Sequence, residues 1–156
     1  MRREPQTLPE SMLRAVNGSD LSAKIGQTFL LVASDSHSWP RVAMLSAGEV
    51  WTDAPTELRL AVYRRSRTCA ALAERRRGLL FSVIDRVVCK VHLEVVRLEA
   101  EGDAANAFFV TQVRNVEEDR VAYATVEHGI EYALIPAAQS SVLSRWAETV
   151  DSLRSL

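Results

Sequence analysis

The stretch Val-Val-Cys-Lys-Val-His-Leu-Glu-Val-Val-Arg-Leu-Glu-Ala-Glu, residues 87–101, alternates apolar and polar side chains and changes phase once. Apolar residues occupy the odd positions from 91 to 95 and the even positions from 96 to 100. A change of phase moves the apolar set to the opposite face of a strand unless an extra residue is inserted there. The neighbouring pair Val95 and Val96 therefore predicts a β-bulge, which bends a sheet toward barrel closure.

Strand patterns also lie on both sides of this stretch. β-Branched and apolar residues predict five further strands, at residues 26–34, 41–47, 58–62, 79–85 and 129–135. Residues 35–40 are rich in turn formers, so the first two of these strands form a hairpin. Because hairpins join antiparallel strands, we expect a mainly antiparallel sheet, closed or nearly closed into a barrel.

Helical periodicity predicts four helices around the barrel, at residues 7–17, 66–77, 102–116 and 140–155. Thr7 and Glu10 have the spacing of a capping box at the first helix. Gly78 is a typical stop for the second helix, and Gly102-Asp103 begins the third. We expect one domain over residues 1–156, with residues 1–6 as a loose tail and residues 140–155 as a C-terminal helix.

The composition is that of an ordinary soluble domain. The chain has 156 residues, of which 47% are hydrophobic and 25% are charged, and its net charge is −1. This balance gives no reason to expect nucleic acid or an anionic membrane as a partner. The N-terminus lacks the apolar segment of a signal peptide, and Cys69 and Cys89 have no disulfide framework or metal-ligand spacing. We therefore expect a cytoplasmic protein.

Several common catalytic motifs are missing from the sequence. No two of the six glycines lie within three residues of each other, which excludes G-x-G-x-x-G, the P-loop and the G-x-S-x-G nucleophile elbow. The histidines His37, His92 and His128 are scattered, so no metal site is expected. No side chain is an evident general acid or base, and no catalytic residue is assigned.

The start of the second helix has an unusual charge pattern. A helix N-terminus carries partial positive charge, yet Arg64, Arg65 and Arg67 crowd this one and no acidic residue compensates them. Free backbone N–H groups, the hydroxyls of Ser66 and Thr68 and nearby guanidinium groups together make a phosphate site. The alternative is that Ser66 only caps the helix and the arginines are solvated.

Other conspicuous residues have ordinary structural interpretations. Arg75, Arg76 and Arg77 lie at the C-terminus of the same helix, where cations are favourable. The two cysteines are interpreted as small packed hydrophobes. Trp39 and Trp51 are interpreted as packing aromatics near turns, although either could stack on a ring-shaped ligand.

The segments "WPRVAMLSAGEV", "LRLAVY" and "RRSRTCAALAERRRGLLFSV", in this order and spacing, resemble the pyridoxamine 5′-phosphate oxidase-like family of FMN-binding split barrels. The similarity covers roughly residues 25–100, and "DRVAYATVEHGIEYAL" resembles a subgroup of small members. The resemblance implies a six-stranded antiparallel split β-barrel flanked by helices. It also implies FMN as cofactor and a homodimer that holds FMN at the subunit interface.

Site residues follow from the resemblance position by position. Ser66, Arg67 and Thr68 would contact the FMN phosphate. The flavin ring and the ribityl chain would lie along Ala43, Met44, Leu45 and Ser46, partly in contact with their backbone groups. The adjoining strand would place Ala61 and Val62 near the cofactor. Strand residues near Val88 to Lys90 would complete the site from the partner chain.

The resemblance predicts an FMN-dependent oxidoreductase acting on a small molecule. The chain lacks the C-terminal Arg-Leu-x-Pro segment of members that oxidise pyridoxamine phosphate, which argues against that particular activity. Two alternatives stay open. One is a non-catalytic barrel that binds flavin, haem or another ligand, and the other is a reductase that uses the deazaflavin F420.

Overall fold

The protein is described by a computed structural model that covers residues 6–100 and 104–156. Within these ranges one antiparallel sheet of seven strands carries the fold, in the order β2-β1-β5-β6-β7-β4-β3. The strands are β1 (Phe29–Ser34), β2 (Pro40–Leu45), β3 (Val50–Trp51), β4 (Glu57–Tyr63), β5 (Arg77–Ile84), β6 (Val87–Glu99) and β7 (Asn106–Asp119). The helices are α1 (Glu10–Ala15), α2 (Arg67–Arg75) and α3 (Gln139–Arg154), with short 3-10 turns at Leu21–Lys24 and Pro136–Ala138.

The sheet curls around an apolar interior, and α1 and α2 contribute to the same core. Phe29, Leu80 and Phe109, from three different strands, are fully or almost fully buried there. Met12 of α1 and Leu72 of α2 pack into the same cluster. The predicted antiparallel barrel is confirmed, with seven strands where six were expected, because β3 and β7 were not predicted as strands and the strand predicted at residues 129–135 does not form.

The hairpin of β6 and β7 contains the bulge that the sequence predicts. Val95 pairs with Thr111, whereas Arg97 pairs with Val110, so Val96 is the extra residue on β6. A second register shift lies between His92 and Leu93, and there the extra residue belongs to β7. Each bulge lets the long hairpin bend around the core.

The predicted helix at residues 102–116 is wrong, because this stretch forms β7 from Asn106 onward. Phe108, Phe109, Val110 and Thr111 are aromatic or β-branched, and such residues favour a pleated surface over a helix. The helix start expected at Gly102-Asp103 lies outside the described residues.

The strand predicted at residues 129–135 is also wrong. The segment is extended but pairs with no strand in the described ranges. Gly129 lies against Val83 at the end of β5, while Ile130 and Ile135 are 51% and 73% exposed. The segment lies beside β5, which is already paired with β1 and β6, so the apolar alternation has no free sheet edge to join there.

Two predicted helix boundaries differ from the structure. Helix α1 begins at Glu10 with Pro9 in the N-cap position and no side-chain cap, so the Thr7–Glu10 capping box does not form. Helix α2 ends at Arg75, and the C-cap residue Arg76 adopts the left-handed conformation with φ 59° and donates its N–H to the Leu72 carbonyl. Gly78, the predicted stop, already lies in β5.

Helix α3 covers the outer face of the sheet near β3 and β4. Val150 and Leu153 pack with Trp51 and Ala61 in a second apolar cluster. Trp146 is buried against Gly48, where an added Cβ would lie 2.2 Å from the indole Cγ. The predicted C-terminal helix is therefore confirmed, and its apolar side packs on its own barrel.

No helix in the described ranges is both long enough and apolar enough to cross a lipid bilayer.

Candidate functional site

The start of α2 is built around the side chain of Ser66. Its backbone is extended, and its Oγ accepts a 3.0 Å hydrogen bond from the Cys69 amide. The same hydroxyl donates to the Tyr63 carbonyl at 2.8 Å. Ser66 is thus the N-cap of α2, as one of the two interpretations of the sequence holds, and its single proton is engaged within the chain.

The next two residues of this helix end differ in exposure, since Arg67 is exposed and Thr68 is only 3% exposed. The backbone amides of Arg67 and Thr68 have no hydrogen-bond partner in the part of the chain that the structure describes. The side chains of Arg65 and Arg67 are exposed and form no ion pair with any described residue. The first turn of α2 contains no acidic residue. The arrangement concentrates positive charge where a phosphate group can approach two N–H donors.

Arg64 is held differently from its neighbours. Its guanidinium donates a 3.0 Å hydrogen bond to the Ala100 carbonyl, and its backbone N–H donates to Ala105 at 2.9 Å. These bonds tie the start of α2 to the end of the β6–β7 hairpin. Arg64 therefore serves to position the helix start.

The predicted residues of β2 divide between the two faces of the sheet. Leu45 is 4% exposed in the core, whereas Met44 is 56% exposed on the outside. Ala43 is half-buried at the margin of the core. Ser46 is buried in the turn after β2, where Glu49 Oε1 accepts bonds from its amide at 3.0 Å and its hydroxyl at 2.7 Å. Only Met44 presents its side chain fully to solvent.

The turn after β2 is hydrogen-bonded to β4. The Ala61 amide donates to the Glu49 carbonyl at 2.9 Å, so the end of β2 and the middle of β4 share one end of the barrel. Ala61 is fully buried beneath α3, and Val62 is 1% exposed in the barrel interior. The structure brings these β4 residues close to the turn that follows β2, with both side chains covered.

The outer surface of β2, β1 and β5 is apolar and lacks the helix that covers β4. Register places Met44 beside Leu30 and Phe81, and Val42 beside Val32 and Leu79. Val42 is 58% exposed and Met44 is 56% exposed, while the other four are half-buried. We call these six residues the open face. Within the described residues, no segment of the chain covers Val42 or Met44.

The open face was not identified from the sequence, although a signal was present. The run Phe-Leu-Leu-Val-Ala at residues 29–33 has no polar alternation, which is typical of a strand buried on both faces. One face of β1 lies in the core, and the other belongs to the open face. The uninterrupted apolar run thus indicated a second apolar surface.

Lys90, one of the residues expected to act from a partner chain, lies on the same side of the sheet and pairs with Phe81 of the open face. Its ammonium forms a 2.6 Å ion pair with Asp119 of β7. The Asp119 hydrogen bond and charge raise the pKa of Lys90. Lys90 is therefore held in an ion pair with Asp119 at the margin of the open face.

Both cysteines are buried and act as core residues. Burial raises the pKa of the Cys69 thiol. Burial, with a smaller effect from the Glu118 charge, raises the pKa of Cys89 to about 11. Neither thiol is activated as a nucleophile, which confirms their interpretation as packed hydrophobes.

Comparison with solved structures defines the class of fold, which is the split barrel of FMN-binding proteins and flavin reductases. An FMN-binding protein from Syntrophomonas wolfei subsp. wolfei superposes with a TM-score of 0.52 at 15% identity, over 70% of this chain and 87% of that one. A candidate flavin reductase with a split barrel domain, from Shewanella frigidimarina NCIMB 400, gives 0.53 at 10% identity, over 82% and 93%. An F420 reductase gives 0.50 at 11% identity, over 70% and 98%.

Comparison of sequences gives one particular relative. The chain is 27% identical over 149 residues to the uncharacterized protein YclD of Bacillus subtilis (strain 168), covering 94% of this chain and 96% of that protein. No family model matches the chain.

Proposed function

We propose that the protein is an FMN-dependent oxidoreductase acting on a small molecule, with the FMN phosphate bound at the start of α2. The observation that carries this proposal is the start of α2, where the amides of Arg67 and Thr68 lack partners among the described residues and the first turn has no acidic residue. Its position in a fold shared with FMN-binding proteins supports the choice of FMN. The flavin supplies the redox chemistry, and the chain supplies binding, orientation and charge.

The predicted contacts take different forms in this proposal. Arg67 and Thr68 contribute their backbone N–H groups, and the exposed Arg67 guanidinium closes on the phosphate. Ser66 acts through its cap, because its proton is already donated to Tyr63. Met44 is the β2 residue whose side chain is available to the flavin, while Ala43, Leu45 and Ser46 would contribute through the backbone of the strand and turn.

A second copy of the chain is part of the same proposal. The open face is a contiguous apolar surface on a sheet whose opposite end is covered by α3. Contiguous apolar surfaces of this kind mark interaction sites in soluble proteins. Self-association through the open face would bury Val42 and Met44 and bring Lys90 of one copy toward the cofactor of the other.

Affinity for FMN tests the phosphate site. Replacing Arg67 with alanine removes one charged hydrogen bond, which corresponds to about 1.5–3 kcal/mol and a loss of affinity of about 10- to 150-fold. Arg120→Ala is the matched control, because Arg120 is also exposed but pairs with Glu118 away from α2. Flavin fluorescence titration measures both. Equal FMN affinity in the two variants would remove Arg67 from the site.

Sedimentation velocity tests the second copy. Met44→Asp places a carboxylate on the part of the open face that lies on the edge strand β2, and it is expected to convert a dimer into monomers, because an unpaired buried charge is costly. Val96→Asp is the control, since Val96 is 54% exposed on the β6 bulge and lies outside the open face. A wild-type protein that sediments as a monomer would refute the interface.

Reduction of the bound cofactor separates an enzyme from a binding protein. Bleaching of the flavin band by NADH or NADPH supports the oxidoreductase, whereas FMN binding without bleaching by either supports a non-catalytic barrel.

F420 is the second candidate cofactor, because an F420 reductase shares the fold. Parallel titrations with FMN and F420 decide between the two, and tighter binding of F420 would replace FMN in the proposal.

A further inference from the structure

A hollow of about 660 Å³ lies on the outer side of β5, β6 and β7, away from the start of α2. Gly78 and Leu93, which pair directly across the two strands, form its floor. The Leu93 side chain is 2% exposed in the core, so Leu93 presents its backbone to the hollow. The volume is in the range of small-molecule pockets.

The charged residues that line the hollow do not balance. Glu94 stands opposite Arg77 in the β5–β6 register, but its Oε2 accepts a 2.9 Å bond from Arg114 Nε instead. Arg77 is exposed and has no carboxylate partner among the described residues. The Glu94 carboxylate therefore pairs with Arg114, and the Arg77 guanidinium is the lining cation that is left without a carboxylate partner among the described residues.

The position of Arg114 results from a β-bulge in the sheet. His92 pairs with Asn115 and Leu93 pairs with Val113, so Arg114 is the extra residue of the second bulge. A bulge leaves one residue outside the ladder and turns its side chain in a new direction, and bulges are frequent beside functional sites. Here the bulge brings the Arg114 side chain onto the face that Arg77 and Glu94 share.

The remaining lining residues are hydrogen-bonding side chains. Asn115 Nδ2 donates to Glu117 Oε1 at 3.1 Å, and His92 Nε2 lies 3.9 Å from the same oxygen. Glu117 is therefore engaged at the rim and is not among the lining residues. His92 pairs with Leu79 of the open face, so the hollow borders that surface.

We propose that this hollow is a second anion site, which binds the carboxylate or phosphate of a small organic molecule between Arg77 and Arg114. Guanidinium groups bind both kinds of anion through paired N–H donors, and the uncompensated Arg77 is the primary contact. The site is separate from the phosphate site at α2 and does not depend on the identity of the cofactor. Arg77, which the sequence suggests is ordinary helix-capping charge, takes this role because it begins β5.

The histidines make this site observable by NMR, because the chain has only three of them. Protein labelled with ¹³C-histidine is titrated with inorganic phosphate and, separately, with benzoate at constant ionic strength. We expect saturable shifts of the His92 ring resonances, while those of His37 and His128 stay unchanged. The probe that saturates at lower concentration identifies whether the natural anion carries a phosphate or a carboxylate.

Variants test the assignment to the two arginines. Arg77→Ala is expected to weaken binding of the better probe by about tenfold or more, with Arg114→Ala similar and Arg77→Lys intermediate. Arg120→Ala, at an exposed ion pair elsewhere, is expected to have no effect. A dispersed amide spectrum of each variant shows that it is folded.

Three results would overturn the proposal. They are no saturable shift of His92 with either probe, equal shifts of all three histidines, and unchanged binding in Arg77→Ala. Repeating the titration with FMN-saturated protein separates this site from the cofactor site. Loss of the His92 shift there would mean that FMN occupies the hollow, whereas failure of FMN to bind at α2 would leave the His92 result intact.

Discussion

Arg59 of β4 fastens α3 to the barrel, and its removal gives a strong test of the packing. Its Nη1 donates to the carbonyls of Leu153 at 2.8 Å and of Arg154 at 3.1 Å, at the C-terminal end of the helix. Its Nε bonds to Glu57 at 2.7 Å. The guanidinium also lies 5.2 Å from the centre of the Trp51 ring. One side chain therefore joins the helix end, a strand and an indole.

The expected cost of Arg59→Ala can be assembled from these contacts. A charged hydrogen bond contributes about 1.5–3 kcal/mol, and a guanidinium over an indole contributes about 0.5–1 kcal/mol or more when desolvated. The contacts share one side chain, which is 16% exposed, so their contributions do not simply add. We expect the free energy of unfolding to fall by about 2–4 kcal/mol, a large part of the 5–15 kcal/mol typical of a domain.

Urea unfolding followed by tryptophan fluorescence measures this loss, since Trp51 is buried under α3 and Trp146 is a buried residue of α3 itself. Arg97→Ala is the control, because Arg97 forms a comparable pair with Glu99 but is 51% exposed. An exposed pair contributes at most about 1 kcal/mol. If the two variants lose the same stability, Arg59 does not hold α3 in the way that its contacts indicate.

Three further predictions concern charge, reactivity and packing. Hydrogen bonds from two backbone amides of the β1–β2 turn, and the neighbouring Arg41 guanidinium, hold the pKa of Asp35 below its usual value. This contribution to the stability of the turn is present above about pH 4 and is lost as the pH falls through the lowered pKa, which a carboxyl ¹³C titration will show. Cys69 and Cys89 should react slowly with Ellman's reagent at pH 8 in the native protein, and both should react after unfolding. Gly48→Ala should destabilise the protein by about 1–3 kcal/mol, because the added methyl group would overlap Trp146.

Each of these predictions has its own control and contrary result. For the turn, Asp35→Asn should abolish the acid transition, and a titration at the usual pKa would contradict the prediction. Rapid reaction of either thiol in native protein would show that its pocket opens. Gly129→Ala is the control for Gly48, because its nearest contact is a Val83 methyl at 3.2 Å. Equal stability losses at the two glycines would refute the close packing of Trp146.

Strands that bury only one face in the core could be predicted from the sequence. In β4 and the first half of β6, apolar and polar residues alternate because the core requires only every second side chain. The phase change at Val95 and Val96 appears in the structure as the bulge. The Ser66 cap could also be identified, because Ser is a strong N-cap residue and its role depends on local backbone geometry alone.

Strand β7 could not be assigned because two features together conceal its period. Phe108 packs toward α3 while Phe109 lies in the core, so both faces carry apolar residues. The bulge at Arg114 then shifts the inward positions from odd to even, from Val113 to Val116. The resulting spacing resembles the i, i+3, i+4 pattern of a helix.

The candidate site was only partly accessible from the sequence. Positive charge at the start of α2 is a local property, and it could be read directly. The burial of Ala61 depends on a helix about 90 residues further along the chain, and the open face depends on which strands α3 leaves uncovered. Arg77 has no carboxylate partner in the hollow because Glu94 pairs with Arg114. Such properties arise from tertiary packing and have no local signature.

The two bulges of the β6–β7 hairpin have a consequence for the history of the chain. One extra residue, Val96, belongs to β6, and the other, Arg114, belongs to β7. Their effects on the register cancel, so that the residue pairs before the first bulge and after the second follow the same register. Loss of either residue alone would make the flanking pairs consecutive and leave every side chain on its present face, but would remove one bend from the hairpin. Among homologues, a chain that lacks one of these two residues should therefore keep the same core positions and have a less bent hairpin at that point.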